Sequence, residues 1–301
     1  MSCFPYPWAR KPTIIYFCLS LLQQQDVLKQ VYKIESDRKE DPAHQVLSIR
    51  LGERHVGFAI TSLNAGELFR LCWLTDTEIT ETALMEMMET YPELRAPFHH
   101  VFLCYDNPQS VLVPINLYKQ DDAKSLLRSM FGVSSRDEIV TEPVPGWQLH
   151  NIYVVPRELH NWTYRFFPAS NYWHTYSIGI RNSVVTDFEG SMAADFRPDD
   201  FSLVVTRGTK VLLTQTFPYS TPADVVYYLM DTCRQFTFQQ ESVRLSLAGL
   251  IAKDSALYHE LHQYFLHIRF REAEWRISGI TEQPYPAHFF TSLNDLAKCA
   301  L

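Results

Sequence analysis

The stretch HVGFAITSLNAGELFRLCWL, from His55 to Leu74, holds two apolar runs of strand character around a turn at Asn64-Ala65-Gly66. FSLVVTRGTKVLLTQTFPYS, from Phe201 to Ser220, does the same around Arg207-Gly208-Thr209. The two hairpins lie about 144 positions apart. A chain that builds one unit twice is restricted to a small set of duplicated architectures. The deciding question is whether the flanking elements recur as well.

They do. In the first half, Val46 to Leu51 and Val56 to Thr61 are strand-like, with a turn near Gly52-Glu53, and a third strand covers Glu67 to Leu74. Leu84, Met87, Met88 and Tyr91 mark one face of a helix that Pro92 stops. HHVFLCYD is a fourth strand, a second helix covers about Asp121 to Phe131, LHNIYVVP is a fifth strand, and Pro156 to Phe166 opens a third helix. Asp121 and Asp122 read as acids that complement a helix start.

In the second half, MAADF, Phe201 to Thr206 and Val211 to Phe217 are three strands. Thr221-Pro222-Ala223-Asp224 is a helix start, with a threonine cap, proline at the first helical position and an acid at the third. VRLSLAG is the fourth strand, Ser255 to Phe265 a helix, IRFREAEW the fifth strand and AHFFTSLNDLAKCAL the last helix. Five corresponding elements recur in one order at offsets of about 142 to 146 positions. Identity between the halves is weak, so architecture is repeated rather than sequence.

This order predicts an α/β protein of two tandem domains, each a mixed sheet with flanking helices. The expected divisions are an N-terminal extension over 1–43, helical or poorly ordered, a first domain over 44–170, a connecting segment over 171–190 and a second domain over 191–301. Arg10-Lys11 before TIIYFCLSLL resembles the basic and apolar parts of a signal peptide, but QQQD follows where a small-residue cleavage site belongs. The run is also shorter than the roughly 20 apolar residues of a membrane span. ESDRKEDPAHQ, Glu35 to Gln45, reads as a linker. Loss of everything before about His44 is therefore expected to leave the fold intact.

Charge narrows the partners. The net charge is −7 and no Lys/Arg run exceeds two residues. A nucleic-acid surface is normally a basic patch, so none is expected here. The six cysteines form no Cys-x-x-Cys pair, and Cys72, Cys104 and Cys233 lie in apolar segments. They read as buried thiols of a reducing compartment, the cytoplasm. Asn161-Trp162-Thr163 is read as a chance glycosylation triplet.

The segments LSIRLGERHVGFAI, FPASNYWHTYSI, MAADFRPDDFSLVV, TPADVVYYL, LSLAGLIAKDSALYHELHQYF and PAHFFTSLNDLAKC carry a resemblance. Tandem units in this order resemble the ribonuclease-H-like fold of the actin, Hsp70 and sugar-kinase superfamily, with the pilus-assembly protein PilM near by pattern. More specifically, the chain from about His44 onward resembles the bacterial family known as domain of unknown function 3822, whose fold is actin-like.

The resemblance implies where a nucleotide would sit. In active members it lies between the halves, against an Asp-x-Gly-type turn from each first hairpin. Backbone N–H groups must reach phosphate there without a side chain between them. In IRLGERHVG, Arg50 takes the aspartate's place, Gly52 remains and Glu53 follows. In ADFRPDD, Asp195 remains, but Arg197 and Pro198 fill the glycine positions. Proline has no N–H to offer. The glycine pair after the fourth strand is reduced to Ala248-Gly249.

Each element keeps one feature and loses another. The expectation is a degenerate site made of Arg50, Gly52, Glu53, Asp195, Arg197 and Gly249, with no catalytic residue, metal or resident cofactor. Bound ATP is the alternative. The implied function is a non-hydrolysing scaffold working through an unidentified protein partner. Its alternative is a nucleotide-binding or ATP-hydrolysing switch. If the alignment holds, the two turns face one another across the cleft, and Asp195 or Glu53 neutralises the arginines.

Other chemistry fits less well. HELHQYFLH places His259 and His262 three apart, one residue too close for the His-Glu-x-x-His zinc motif. A two-metal nuclease needs converging carboxylates. Asp195, Asp224 or Asp231, and Asp295 supply some of these, but the acid expected after the fourth strand is absent. The aromatic stretch NWTYRFFPASNYWHTY, Asn161 to Tyr176, is expected to pack at the seam between the halves.

Overall fold

The computed structural model describes residues 28–38, 40–76, 78–183, 188–278 and 284–300. A strand β1 (Lys29–Glu35) precedes β2 (Gln45–Gly52), β3 (His55–Ser62), β4 (Glu67–Thr75), α1 (Glu81–Thr90) and β5 (His100–Asp106). An insertion follows: β6 (Ser110–Pro114), α2 (Gln120–Phe131), β7 (Asp137–Val144) and β8 (Leu149–Pro156). The chain returns through α3 (Arg157–Phe166), β9 (Asn171–His174) and α4 (Thr175–Arg181). It then makes β10 (Gly190–Phe196), β11 (Asp200–Arg207), β12 (Lys210–Pro218), α5 (Pro222–Gln235) and β13 (Val243–Gly249). The last elements are α6 (Ala256–Leu261), β14 (His267–Phe270), β15 (Arg276–Ile277) and α7 (Thr291–Ala297).

The two larger sheets share an order. The first contains β4-β3-β2-β5-β9 and the second is β12-β11-β10-β13-β14. In both, the first three strands are antiparallel and the last two join in parallel. The chain is thus mixed α/β, as its pattern predicts. Local chemistry explains the shared hairpins. Ala65 sits at φ +53° with the Asn64 side chain accepting from Gly66 N–H at 3.1 Å, and Gly208 takes φ +57° in the other turn. Thr221 and Asp224 form a reciprocal capping box on α5. Leu84, Met87 and Met88 are the buried face of α1.

The structure differs from the sequence reading at four places. Part of the supposed helical or unordered extension is β1, which pairs antiparallel with β4 from Arg70 to Thr75. Its sequence KQVYKIE carries three charged residues, and tertiary pairing overrides that polar composition. Residues 1–27, including the apolar run Thr13 to Leu22, lie outside the described residues. LHNIYVVP is not the fifth strand of the first sheet. It is β8, the centre of a separate sheet β6-β8-β7, and α2 packs on that sheet through Ala123 and Leu127. The actual fifth strand is β9, only four residues long and inside the segment taken as a connector; α4 also falls there. Finally, IRFREAEW is divided: β14 ends at Phe270, while Arg276 and Ile277 cross to pair with Glu67 and Leu68 of β4.

Among the described residues, three of the buried clusters hold the two larger sheets. One lies between the first sheet, α1 and α3, with Phe58, Leu84, Met87 and Trp162 fully buried. A second lies between the second sheet and α5, around Phe201, Leu203, Val225 and Leu229. A third joins the halves: Ile34, Leu71 and Trp73 pack with Trp275, Ile277, Phe290 and Leu293 from the C-terminal segment. The aromatic stretch mostly serves the first core, since Trp162 and Phe167 pack there. Its Tyr176 reaches the second half, with its hydroxyl 2.8 Å from Thr216 Oγ1.

Ile34 is 5% exposed and belongs to the joining core. Burying an isoleucine contributes about 1.5–3 kcal/mol, and removing β1 also strips the ladder from β4. A chain beginning at Ser36 is therefore expected to lose at least about 2 kcal/mol of stability, reversing the expectation of a dispensable extension. Urea unfolding of the two lengths measures this; equal midpoints would contradict it.

Candidate functional site

The carboxyl ends of parallel strands converge where the halves meet, the usual place for a site in an open α/β sheet. β2 and β5 run in parallel with Gly52 beside Asp106, and β10 and β13 run in parallel with Phe196 beside Gly249. The first hairpins share a register. Leu51 pairs with Val56 around a four-residue turn, and Phe196 pairs with Phe201 around another. Arg50 and Asp195, each one residue earlier, therefore occupy equivalent positions.

They also touch. Arg50 Nη1 lies 2.7 Å from Asp195 Oδ2 across the cleft and donates to Ser292 Oγ of α7 at 2.5 Å. On its own side, Arg50 Nε donates to Asp106 Oδ2 at 2.9 Å, and Nη2 sits 2.6 Å from the same oxygen without hydrogen-bond alignment. The Arg50 side chain is 2% exposed, that of Asp106 2% and that of Asp195 17%. The Arg197 side chain is almost as buried; it pairs with Asp200 through Nε, and its Nη1 is 3.4 Å from Asp106. His55 completes the group, with Nε2 3.1 Å from Asp106 Oδ2 and its ring stacked on Trp73 at 4.8 Å.

Burial alone would neutralise these groups, and their mutual attraction prevents it. For Arg50, burial pulls the pKa down, but Asp106 and Asp195 overcome this and hold it above the usual arginine value. The same contest raises Arg197 through Asp106 and Asp200. Burial would raise Asp106, yet Arg197, Arg50 and His55 keep it well below the carboxylate range. His55 goes the other way: burial lowers its pKa more than Asp106 raises it, so it is neutral beside two guanidiniums.

Of the residues singled out in the sequence, Arg50, Asp195 and Arg197 come together. Glu53 does not join them; it lines a cavity of about 310 Å³ at the cleft mouth. That cavity is walled by five carboxylates, Glu53, Asp76, Asp106, Asp199 and Asp200, against the guanidiniums of Arg54 and Arg197. Gly52 has a local explanation, since a Cβ there would overlap the His55 ring. So does Gly249, which takes φ +80° and whose added Cβ would overlap the Phe196 carbonyl. Neither glycine needs a phosphate to account for it. Asp106 and His55 escaped the sequence reading. The available signal was an aspartate closing the apolar strand HVFLCYD, at the strand end where sites form.

A second cavity, of about 370 Å³, opens between the first sheet and the insertion, with Leu51, Ile79, Tyr105, Val155 and Leu159 among its walls. Among the described residues no helix is long and apolar enough to cross a membrane.

Residues 36–268 match the family described as protein of unknown function DUF3822. The chain belongs to that family. No curated protein matches it in sequence. Solved structures relate DUF3822 to a fold. A Bacteroides thetaiotaomicron protein described as having an actin-like ATPase fold and unknown function aligns at TM-score 0.66 and 17% identity, over 76% of this chain and 91% of that one. The PilM–PilN type IV pilus biogenesis complex contributes a chain aligning at TM-score 0.58 and 12% identity, over 86% and 99%. This DUF3822 chain therefore has the actin-like ATPase fold, and these identities speak to fold alone.

Proposed function

We propose that the protein is a non-hydrolysing actin-like scaffold that acts through a protein partner. One observation carries this reading: Arg50 and Asp195, equivalent residues of the two hairpins, are paired with each other across the cleft. On this reading, the place that the resemblance assigns to metal and phosphate is taken by an ion pair between the halves. The two buried guanidiniums of Arg50 and Arg197 face three carboxylates, Asp106, Asp195 and Asp200, so this group carries no net positive charge to offer a polyphosphate. The acid-rich mouth repels one further. In the second turn, Arg197 N–H donates to Asp200 O at 2.9 Å, and Pro198 has no N–H. These residues do not fit a magnesium nucleotide.

The protein-partner half of the reading is supported by fold analogy: PilM, similar in fold, stands in a complex with PilN. Calorimetry with Mg-ATP tests the cleft. No binding heat is expected through the micromolar range. Micromolar binding would replace the scaffold reading with that of a nucleotide switch.

A further inference from the structure

The cavity of about 370 Å³ beside the insertion is large enough for a small organic molecule, and its lining includes none of Arg50, Asp106, Asp195 and Arg197. Its apolar walls come from the ends of β2, β5 and β8 and the first turn of α3. Tyr105 is buried there with its hydroxyl committed, 2.8 Å from Thr163 Oγ1 and 2.9 Å from His160 Nδ1. Asn107 is only half committed. Its Nδ2 donates to the Val154 carbonyl, which fixes the direction of the amide, and its buried Oδ1 has no partner. Such an acceptor is costly to leave unpaired. At the rim, Ile79 N–H donates to Glu53 O at 2.7 Å and so sets the exposed Glu53 and Glu78 on neighbouring segments. Among the described residues neither carboxylate has an ion-pair partner. Arg54, the one base in that lining, is paired with Asp199 of the second half.

We infer that this cavity binds a small aromatic amine: the ring against Tyr105 and Leu159, a ring N–H or O–H donating to Asn107 Oδ1, and the ammonium against Glu53 and Glu78. The free polar groups select that class. An apolar pocket with a few placed polar groups takes a ligand whose own polar groups answer them, and here those groups accept. A plain hydrocarbon would leave Asn107 Oδ1 unpaired. An organic anion would meet two uncompensated carboxylates at the rim. The cavity shares Glu53 with the cleft mouth but uses none of the cleft's ion pairs. Amine binding here and Mg-ATP binding in the cleft are therefore separate measurements, and the failure of one reading leaves the other standing.

Calorimetry of the full chain with tryptamine tests it. The expected dissociation constant is on the order of 0.1 mM, the scale for a ligand of this size. Indole-3-propionate, which exchanges the ammonium for a carboxylate, should bind at least about tenfold more weakly. 1-Methyltryptamine, which lacks the ring N–H, should lose about fivefold. Glu53 and Glu78 are exposed, so the double change Glu53→Gln with Glu78→Gln should keep the fold, checked by circular dichroism. It should remove the preference for the amine over the acid. Leu159→Trp, which fills the cavity, should abolish binding of both. No binding heat with tryptamine up to millimolar concentration would overturn the inference. So would equal affinity for the amine and the acid, a preference that survives both glutamine changes, or unaltered binding to a folded Leu159→Trp protein.

Discussion

Arg50→Met is expected to lower the unfolding free energy by about 3–5 kcal/mol, the usual cost of stranding one side of a buried ion pair. The change leaves Asp106 buried with only the more distant Arg197 and neutral His55, and it removes the cross-cleft link to Asp195. Arg50→Lys should recover only part of the loss, because an ammonium cannot present a planar fork to both carboxylates. Asp195→Asn should cost less than Arg50→Met, since Asp195 is partly exposed and water can solvate what remains. Arg50→Asp should be worse than methionine. It would place a third carboxylate beside Asp106 and Asp195. Urea unfolding followed by tryptophan fluorescence ranks the four. A cost below about 1 kcal/mol for Arg50→Met, the scale of a surface pair, would show that the contact does not hold the halves together.

Glu142→Gln should stabilise the protein, and increasingly so as pH rises from 5 toward 8. Glu142 lies on β7, 5% exposed, where the insertion meets the first sheet. His174 N–H donates to its Oε1 at 2.9 Å and Tyr153 OH to its Oε2 at 3.5 Å, while Asn151 and Ser177 stand close by. These neighbours on β8, β9 and α4 bring no positive charge, because burial holds His174 neutral with a pKa of about 4. Burial therefore dominates and raises the Glu142 pKa from 4.5 to about 8, despite the hydrogen bonds that oppose it. The folded state keeps a proton that the unfolded chain releases. Its contribution to stability is whole below about pH 4.5 and is lost as pH rises through 8. Glutamine resembles the protonated form at every pH. The two proteins should match near pH 4.5 and differ by on the order of 4 kcal/mol near pH 8. Parallel stability curves across that range would refute the assignment.

Much of the fold was legible because its signals are local. The hairpin at Asn64-Ala65-Gly66, the capping box at Thr221 and the apolar face of α1 each arise within a few residues, so period and turn chemistry suffice to find them. Their recurrence at a nearly constant offset pointed to two sheets of one strand order, which the structure has, and with them to the fold. β1 and β9 were illegible for the opposite reason. KQVYKIE and NYWH are short or polar, and they become strands only because β4 and β5 offer them an edge. The insertion was absorbed into the first sheet because LHNIYVVP has the same alternation whichever sheet it joins.

The site divides in the same way. That Arg50 stands where Asp195 stands in the other half could be read from the sequence, since both follow from hairpin register. That these two residues meet, and that Asp106 lies beneath them, could not. Asp106 is 56 positions from Arg50, and Asp195 lies in the other half of the chain. Nothing local selects such partners. Their proximity comes from the parallel pairing of β2 with β5 and from α7 and β15 fastening the second half against the first. Sequence by itself determined which residues stand in the two hairpin turns and what each can offer, because a missing N–H or an added Cβ belongs to a single residue. Only the tertiary structure decided that Arg50 and Arg197 are paired with carboxylates, because charge compensation depends on distance and burial, which a linear chain does not contain.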